Sequence, residues 1–202
     1  MEIDLSKLIE GKLHSVKIDT FKIDNGKLNF YYQSWLRFPT YKANHFNLGL
    51  FNFDLSENSG NSLSKIFYSD SIQLKLDTFS ANLPDNTHSL SAKSIHIFSG
   101  RKMMEAAGLL LRPLTKKKDK NSLDISIPML KISGTDFNRL YHDRILNIAG
   151  LYLSPSNFKL KLWQKKQLEN DSTDKKNPLS QLTTNFVRQL YIRNLDLRKS
   201  RF

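Results

Sequence analysis

The sequence has 202 residues, of which 39% are hydrophobic and 25% are charged, and it contains no cysteine. This composition indicates a folded chain and excludes a disulfide framework and any thiolate metal site. The formal net charge of +12 favours contact with anionic surfaces, either nucleic acid or acidic lipid headgroups. The longest apolar run, residues 109–111, is far shorter than the ~20 residues that span a bilayer.

The N-terminal residues 1–5 lack the basic and apolar regions of a signal peptide, so we expect no targeting address in this sequence. Leu5 and Leu8 follow Asp4 at helical spacing, and Asp4 is a suitable N-cap residue. We therefore predict a helix of one or two turns that leads into the first strand.

A short hydrophobic phrase begins at Val16 and recurs along the chain. Apolar residues fill its first, third, sixth and eighth positions, and the residues between them are mostly polar. The copies span residues 16–23, 46–53, 90–97, 125–132, 146–153 and 190–197. A repeated strand-like unit predicts an elongated β architecture whose function is carried by a long surface.

The phrase slips by one residue at its centre. Val16 and Ile18 share one face of a strand, and Phe21 and Ile23 also share a face, but strict alternation places the two pairs on opposite sides. A β-bulge between them would restore a single apolar face and bend the sheet locally. The alternative is two half-strands that pack in different layers.

Turn signals follow the first, fifth and sixth copies. Asn25-Gly26 is flanked by alternation on both sides, which is a strong hairpin signal. Residues 154–157 and 199–200 occupy the equivalent places. Each of these longer copies is therefore predicted to form a β-hairpin.

Other segments are read more coarsely. Residues 103–111 are ambiguous between helix and strand, and Asp136 is expected to cap a short helix over residues 137–141. Polar residues 167–178 predict a flexible loop. Because the phrase resumes after it, we interpret 1–202 as a single repeat-built domain. The last long copy stops in mid-phrase, so we interpret the chain as a fragment of a larger protein.

No motif for chemistry is present. The five histidines lie outside metal-binding spacings, and His96 is expected to be an ordinary residue of a polar strand face. No nucleophile elbow or phosphate-binding glycine loop occurs. Aromatic residues 30–35 with Arg37 and Lys42 resemble a stacking platform, but no RNA-binding signature accompanies them. We therefore expect no enzyme activity, no metal or other cofactor and no nucleic-acid partner.

Residues 126–137, with Leu140, and the phrase at 146–155 resemble AsmA-like envelope proteins of Bacteroidetes-type bacteria. Residues 90–97 resemble them too, and most of the likeness falls within 72–160. The resemblance implies a curled β-groove (a β-taco), as in the AsmA/TamB group and chorein-type bridge proteins, in which an apolar trough holds lipid acyl chains. It also implies a cell-envelope, periplasmic location for the full-length protein, usually through an N-terminal membrane anchor. The family supplies no catalytic residue.

These arguments predict a mainly β fold: an elongated, twisted antiparallel sheet that curls into a groove, with a few short helices at the ends of repeats. The predicted function is non-enzymatic lipid binding or conduction, with phospholipid or another lipid as the partner and membrane contact through the full-length protein. The alternative is a structural or protein-binding β-repeat scaffold with a closed core. The residues predicted to line the groove are Val16, Ile18, Phe21, Ile23, Leu146, Ile148, Leu151, Leu153, Leu190, Ile192, Leu195 and Leu197.

Overall fold

A computed structural model describes residues 12–31, 40–56, 65–82, 88–114, 122–161 and 187–197. The predicted leader helix near Leu5, the aromatic residues 32–35, the loop at 167–178 and the turn at 199–200 lie outside these ranges. Within them the chain is mainly β and forms one open, curled sheet dominated by antiparallel pairing. The fold class is thereby confirmed at this level. The single-domain and fragment interpretations stay predictions.

Six strands follow one another as antiparallel neighbours and alternate in direction across the sheet. They are β1 (Ser15–Tyr31), β2 (Thr40–Ser56), β3 (Ser71–Asn82), β4 (His88–Phe98), β5 (Met103–Pro113) and β6 (Ser122–Ser133). The segment left ambiguous at 103–111 is thus a strand, because its alternating apolar residues continue the rows of its neighbours. The last three strands are β7 (Ile145–Leu153), β8 (Asn157–Lys161) and β9 (Gln189–Leu197).

The predicted hairpin at residues 154–157 is wrong. β7 and β8 both pair antiparallel with β6, in one unchanged register, and so form a single interrupted strand. At the interruption the Ser154 backbone N–H donates to the Met129 carbonyl at 2.9 Å, and the Met129 N–H donates to Ser154 Oγ at 2.8 Å. These bonds replace the ladder around Pro155, so the chain continues instead of reversing.

The predicted hairpin at Asn25-Gly26 is also wrong. β1 continues through both residues, with Asn25 in the left-handed region at φ 56°. The Asn25 N–H donates to Asn47 Oδ1 at 2.6 Å, and Asn25 Oδ1 lies 2.6 Å from His45 Nδ1 on the adjacent strand. Asparagine tolerates this conformation, and the side chains of β2 satisfy its polar groups. Asn25-Gly26 thus forms an irregularity within a continuous strand and not a turn.

Similar irregularities lie side by side across the sheet. In β3 and β5 the left-handed residues are Thr78 (φ 54°) and Gly108 (φ 60°). On either side of them the ladder keeps the same register. We call this transverse line the crease; it runs through Asn44, Thr78, Lys93, Gly108, Pro128 and Pro155, and the register shift of β1 around Asn25-Gly26 lies beside its end.

The crease places apolar residues from both sides of the slip in one core cluster. Leu76 and Phe79 flank Thr78 at a spacing that strict alternation would place on opposite faces. Both nevertheless belong to the same cluster, and so do Ala92 and Ile95 of β4. The single apolar face predicted from the phrase is therefore present here. The mechanism differs from the predicted bulge, because a left-handed residue changes the parity without inserting an extra residue.

One predicted short helix lies within the described residues. It is α1 (Phe137–Asp143), which connects β6 to β7. Asp136 is its N-cap, as predicted: Asp136 Oδ1 accepts a hydrogen bond from the Arg139 N–H at 3.1 Å. Arg144 ends the helix in the left-handed conformation, and its N–H donates to the Arg139 carbonyl.

Removing this cap by Asp136→Ala is expected to lower the free energy of unfolding by about 1 kcal/mol, because the N–H group it satisfies loses its partner. Asp136→Asn keeps the acceptor and should cost only a few tenths of that amount. Urea denaturation followed by circular dichroism measures both. An alanine variant as stable as the asparagine variant would contradict the assigned cap.

A contact between α1 and the segment before β3 joins two distant parts of the sheet. Residues 65–70 form a tight turn in which Ile66 and Ser69 pair. His142 Nε2 lies 2.9 Å from the Lys65 carbonyl, 77 residues away in sequence. The rings of Phe67 and Tyr141 lie 5.1 Å apart. The β2–β3 and β6–β7 connections therefore meet at one end of the sheet. This contact is consistent with a curled sheet.

Candidate functional site: the apolar face of the sheet

A continuous apolar row crosses the sheet from β1 to β9. Each of its residues is the Cα partner of the next across a strand pair. The row consists of Ile23, Leu48, Leu74, Ile97, Met104, Ile132, Leu151 and Leu195. Cross-strand neighbours at such spacing are in side-chain contact range. One strip of the sheet is therefore apolar along its whole width.

A second row runs parallel to the first, two residues further along each strand and therefore on the same face. It consists of Phe46, Leu76, Ile95, Ala106, Leu130, Leu153 and Leu197. We call these two rows together the apolar wall. Residues of both rows pack in the main hydrophobic cluster.

The apolar wall is buried at its centre and exposed towards β9. Ala106 and Ile95 retain 1% and 8% of their accessible surface, whereas Leu195 retains 54%. All nine residues of β9 are exposed. The wall is thus a packed core in the middle strands that opens into an apolar surface at one side.

The predicted groove residues of β7 and β9 are brought together directly. Leu146, Ile148, Leu151 and Leu153 are the Cα partners of Leu190, Ile192, Leu195 and Leu197, respectively. The pairing is parallel, which departs from the antiparallel sheet that we predicted. Two copies of the phrase therefore lie in register, with each apolar residue beside its counterpart.

The predicted groove residues of β1 divide into two groups. Ile23 belongs to the apolar wall, and Phe21 is the Cα partner of Leu50 on the same face. Val16 and Ile18 pair with residues at the far end of β2, beyond a left-handed residue at Asn52. The register is unbroken between the two groups, so the bulge predicted there is absent. That Val16 and Ile18 face the same way as Phe21 stays a prediction.

Two strands of the apolar wall were missed as copies of the phrase. β3 carries Leu74 and Leu76 and then Phe79 and Ala81, and β5 has the same spacing from Met104 to Leu111. A search that admitted alanine and methionine at every apolar position would have found both. Small side chains here, such as Ala106 at 1% exposure, are core residues.

The other face of the sheet is polar. Its central row consists of Asn47, Lys75, His96, Glu105, Lys131, Tyr152 and Asp196. Lys131 forms an ion pair with Glu105 at 3.0 Å, and Lys75 pairs with Asp77 at 3.2 Å. The sheet is therefore amphipathic across its thickness.

A cavity of about 350 Å³ lies on this polar face, and Gly49 is among the residues that line it. His96 lines it, which agrees with the predicted polar-face position, although the residue is half-buried rather than freely exposed. Its Nε2 atom is buried and has no hydrogen-bond partner in the part of the chain that the structure describes. Two further histidines are structural: His88 Nε2 accepts from the Leu123 N–H at 3.2 Å, and His142 contacts the Lys65 carbonyl.

Tyr41 reports the environment at the far edge of the apolar face. It pairs with Ala81 of β3, which retains 3% of its surface. Burial raises the pKa of the Tyr41 phenol above its ordinary value of 10.0, because ionisation is disfavoured away from water. The folded state therefore favours the neutral phenol. The stability that this preference contributes is fully present below pH 10 and declines as the pH rises through the folded-state pKa.

The chain was compared with known protein families, curated proteins and solved structures, and none of them matches it. Within the described ranges, no helix has the length and apolar content needed to cross a bilayer. The same ranges contain no group of three or more His, Asp or Glu side chains placed to hold a metal ion.

Proposed function

We propose that this chain is a non-catalytic lipid-binding segment whose apolar wall holds acyl chains. One observation carries the proposal: the wall continues onto β9, where Leu195 and Leu197 retain 54% and 38% of their surface. Apolar surface that stays exposed and continuous with a core is typical of a binding site for an apolar ligand. The curl of the sheet towards a groove is part of this proposal.

Charge supports the same proposal. A formal net charge of +12 would attract the anionic headgroups of phospholipids while the acyl chains lie along the wall. The resemblance to AsmA-like envelope proteins points in the same direction. A cell-envelope, periplasmic location and membrane contact through the full-length protein are therefore included in the proposal.

A matched pair of variants on β9 tests the lipid proposal. Leu195→Glu puts a carboxylate into the apolar wall, whereas Asn194→Glu puts the same group on the adjacent, oppositely facing position, which is also exposed. Burying a carboxylate against acyl chains is unfavourable, so we expect Leu195→Glu to weaken binding of a fluorescent fatty acid roughly tenfold or more. Asn194→Glu should bind within about twofold of the parent.

Extraction of the purified protein, followed by mass spectrometry, provides an independent measurement. We expect phospholipid in the parent and in Asn194→Glu, and depletion in Leu195→Glu. Absence of lipid from the parent, together with equal fatty-acid binding by both variants, would refute the proposal.

A second candidate function is a protein-binding scaffold. It is favoured by the outer edge of β9, which has no strand partner among the described residues. An unpaired strand edge offers backbone donors and acceptors to a strand from another protein. A closed core with no bound lipid would favour this alternative.

A further inference from the structure

A basic pocket lies at the end of the sheet where β7 and β9 begin. It measures about 720 Å³ and is lined by His142, Asp143, Arg144, Ile145, Arg188 and Gln189. These residues come from the end of α1 and from the first residues of two adjacent strands. None of them was singled out from the sequence, because 142–145 and 188–189 are distant along the chain.

The two arginines are held side by side by the backbone. The Arg188 N–H donates to the Arg144 carbonyl at 2.6 Å, and Ile145 is the Cα partner of Gln189. Arg144 is in the left-handed conformation at φ 58°, which sets the direction in which the chain leaves α1. Because main-chain bonds fix this arrangement, the spacing of the two residues does not depend on their side chains.

The described lining of this pocket carries more positive than negative charge. It contains two arginines and one acid, Asp143, whose carboxylate lies 3.8 Å from Arg139 Nε. Within the described ranges, no carboxylate lies within ion-pair distance of the Arg144 or Arg188 guanidinium. Two guanidiniums without a carboxylate partner repel each other, and a doubly charged oxyanion between them relieves that repulsion.

The neighbouring helix end opposes anion binding only weakly. The C-terminal carbonyls of a helix carry partial negative charge. In α1, however, the Arg144 N–H already binds the Arg139 carbonyl, and the helix has only seven residues. Guanidinium groups also match the oxygens of a phosphate geometrically, through paired N–H donors. The balance at this pocket therefore favours an oxyanion.

We propose that the pocket between Arg144 and Arg188 binds a phosphate group. A free phosphate or a lipid headgroup could provide it. The lipid source rests on the function proposed above: the next pair along the strands, Leu146 and Leu190, begins the copies of the phrase that end in the wall residues of β7 and β9. In that case the headgroup is held at the strand ends while the acyl chains follow the apolar residues.

The test compares Arg144→Gln/Arg188→Gln with Arg101→Gln/Lys102→Gln in the full chain, because Arg101 and Lys102 are both exposed and contact no residue that lines the pocket. Both double variants remove the same formal charge from the same end of the sheet, but the control residues lie outside the pocket. Calorimetric titration with inorganic phosphate should show binding by the parent and the control. In Arg144→Gln/Arg188→Gln we expect it to be at least tenfold weaker, because charge-assisted hydrogen bonds are lost.

Water-soluble dihexanoyl phosphatidic acid identifies the source of the phosphate. Leu190 is the apolar residue of β9 within reach of the short acyl chains, two residues from Arg188 and 53% exposed. Tighter binding of this lipid than of inorganic phosphate, lost in both Arg144→Gln/Arg188→Gln and Leu190→Gln, supports a headgroup site. Phosphate binding that Leu190→Gln leaves unchanged, with no gain for the lipid, retains the pocket but refutes the lipid source. Equal loss in the pocket variant and the control, or no binding by the parent, overturns the proposal, since either result would leave only diffuse attraction to the net charge of +12.

Thermal melts of all variants separate lost binding from lost folding. The Arg144–Arg188 link uses main-chain atoms, and both side chains are exposed, so glutamine should leave the melting temperature nearly unchanged. A collapse of the melting temperature in Arg144→Gln/Arg188→Gln would show that the arginines stabilise the fold, and would overturn their assignment as ligands.

Discussion

Ile95→Ala is expected to lower the free energy of unfolding by about 2–5 kcal/mol, which is the range for deleting a buried aliphatic side chain. Ile95 retains 8% of its surface and lies in the apolar wall between Leu76 and Ala106 on the neighbouring strands. The alanine side chain of Ala106 cannot expand to fill the space. A cavity would therefore remain at the centre of the sheet.

Ile192→Ala is the control for this substitution. It removes the same atoms from β9, where Ile192 retains 38% of its surface. We expect a loss below about 1 kcal/mol, because water already reaches the side chain. Urea denaturation of both variants gives the comparison. Similar losses for the two would show that the middle of the wall is not packed in solution as described.

Gly134→Ala is the second substitution with a large expected effect. Gly134 follows β6 at φ +66°, where any side chain is strained, and a Cβ there would lie 2.4 Å from the Cβ of Ala149 in β7. Left-handed strain and overpacking each cost about 1–3 kcal/mol. We expect a total loss of about 2–5 kcal/mol, measured by urea denaturation.

Two further variants separate the causes of this loss. Gly134→Ala/Ala149→Gly removes the collision but keeps the strain, so it should recover part of the loss. Gly100→Ala is the control, because a Cβ at Gly100 would meet Ser71 Cβ at 3.3 Å and Gly100 lacks a positive φ. Gly100→Ala should cost less than about 1 kcal/mol. A Gly134→Ala variant as stable as Gly100→Ala would show that the close approach to β7 is incorrect.

The β class and the apolar face could be predicted because the phrase repeats at strand spacing. Ile97 and Ile132, from different copies, lie in one row because the repeated spacing brings equivalent positions into register. The N-cap at Asp136 was also predictable, since its cause is local: an acidic side chain next to the first turn.

The hairpins could not be predicted correctly, because the dipeptide Asn25-Gly26 is compatible with two different structures. Asparagine in the left-handed region serves both a two-residue turn and an irregularity within a continuous strand. Which one forms depends on the neighbour: Asn47 supplies the acceptor for the Asn25 N–H, and that contact spans 22 residues. The parallel pairing of β7 with β9 is also a long-range property: the apolar spacing of the phrase is the same in both chain directions, so it does not select a strand direction.

The pocket at Arg144 and Arg188 could not be predicted from the sequence, because it also depends on a contact between residues that are distant along the chain. Neither arginine belongs to a motif, and each lies next to the apolar residues of a strand in the sequence. Only the main-chain bond between them makes a shared site. A charge run would have attracted attention, whereas two isolated cations that meet through strand pairing do not.

The first row of the apolar wall has a dimension that strand spacing determines. It crosses eight strands, from Ile23 to Leu195. At ~4.8 Å for each step between neighbouring strands, the row is roughly 34 Å long, measured along the curled sheet. The hydrocarbon core of a bilayer is about 30 Å thick. Eight neighbouring strands thus give the apolar strip about the length that separates the two headgroup layers of a membrane.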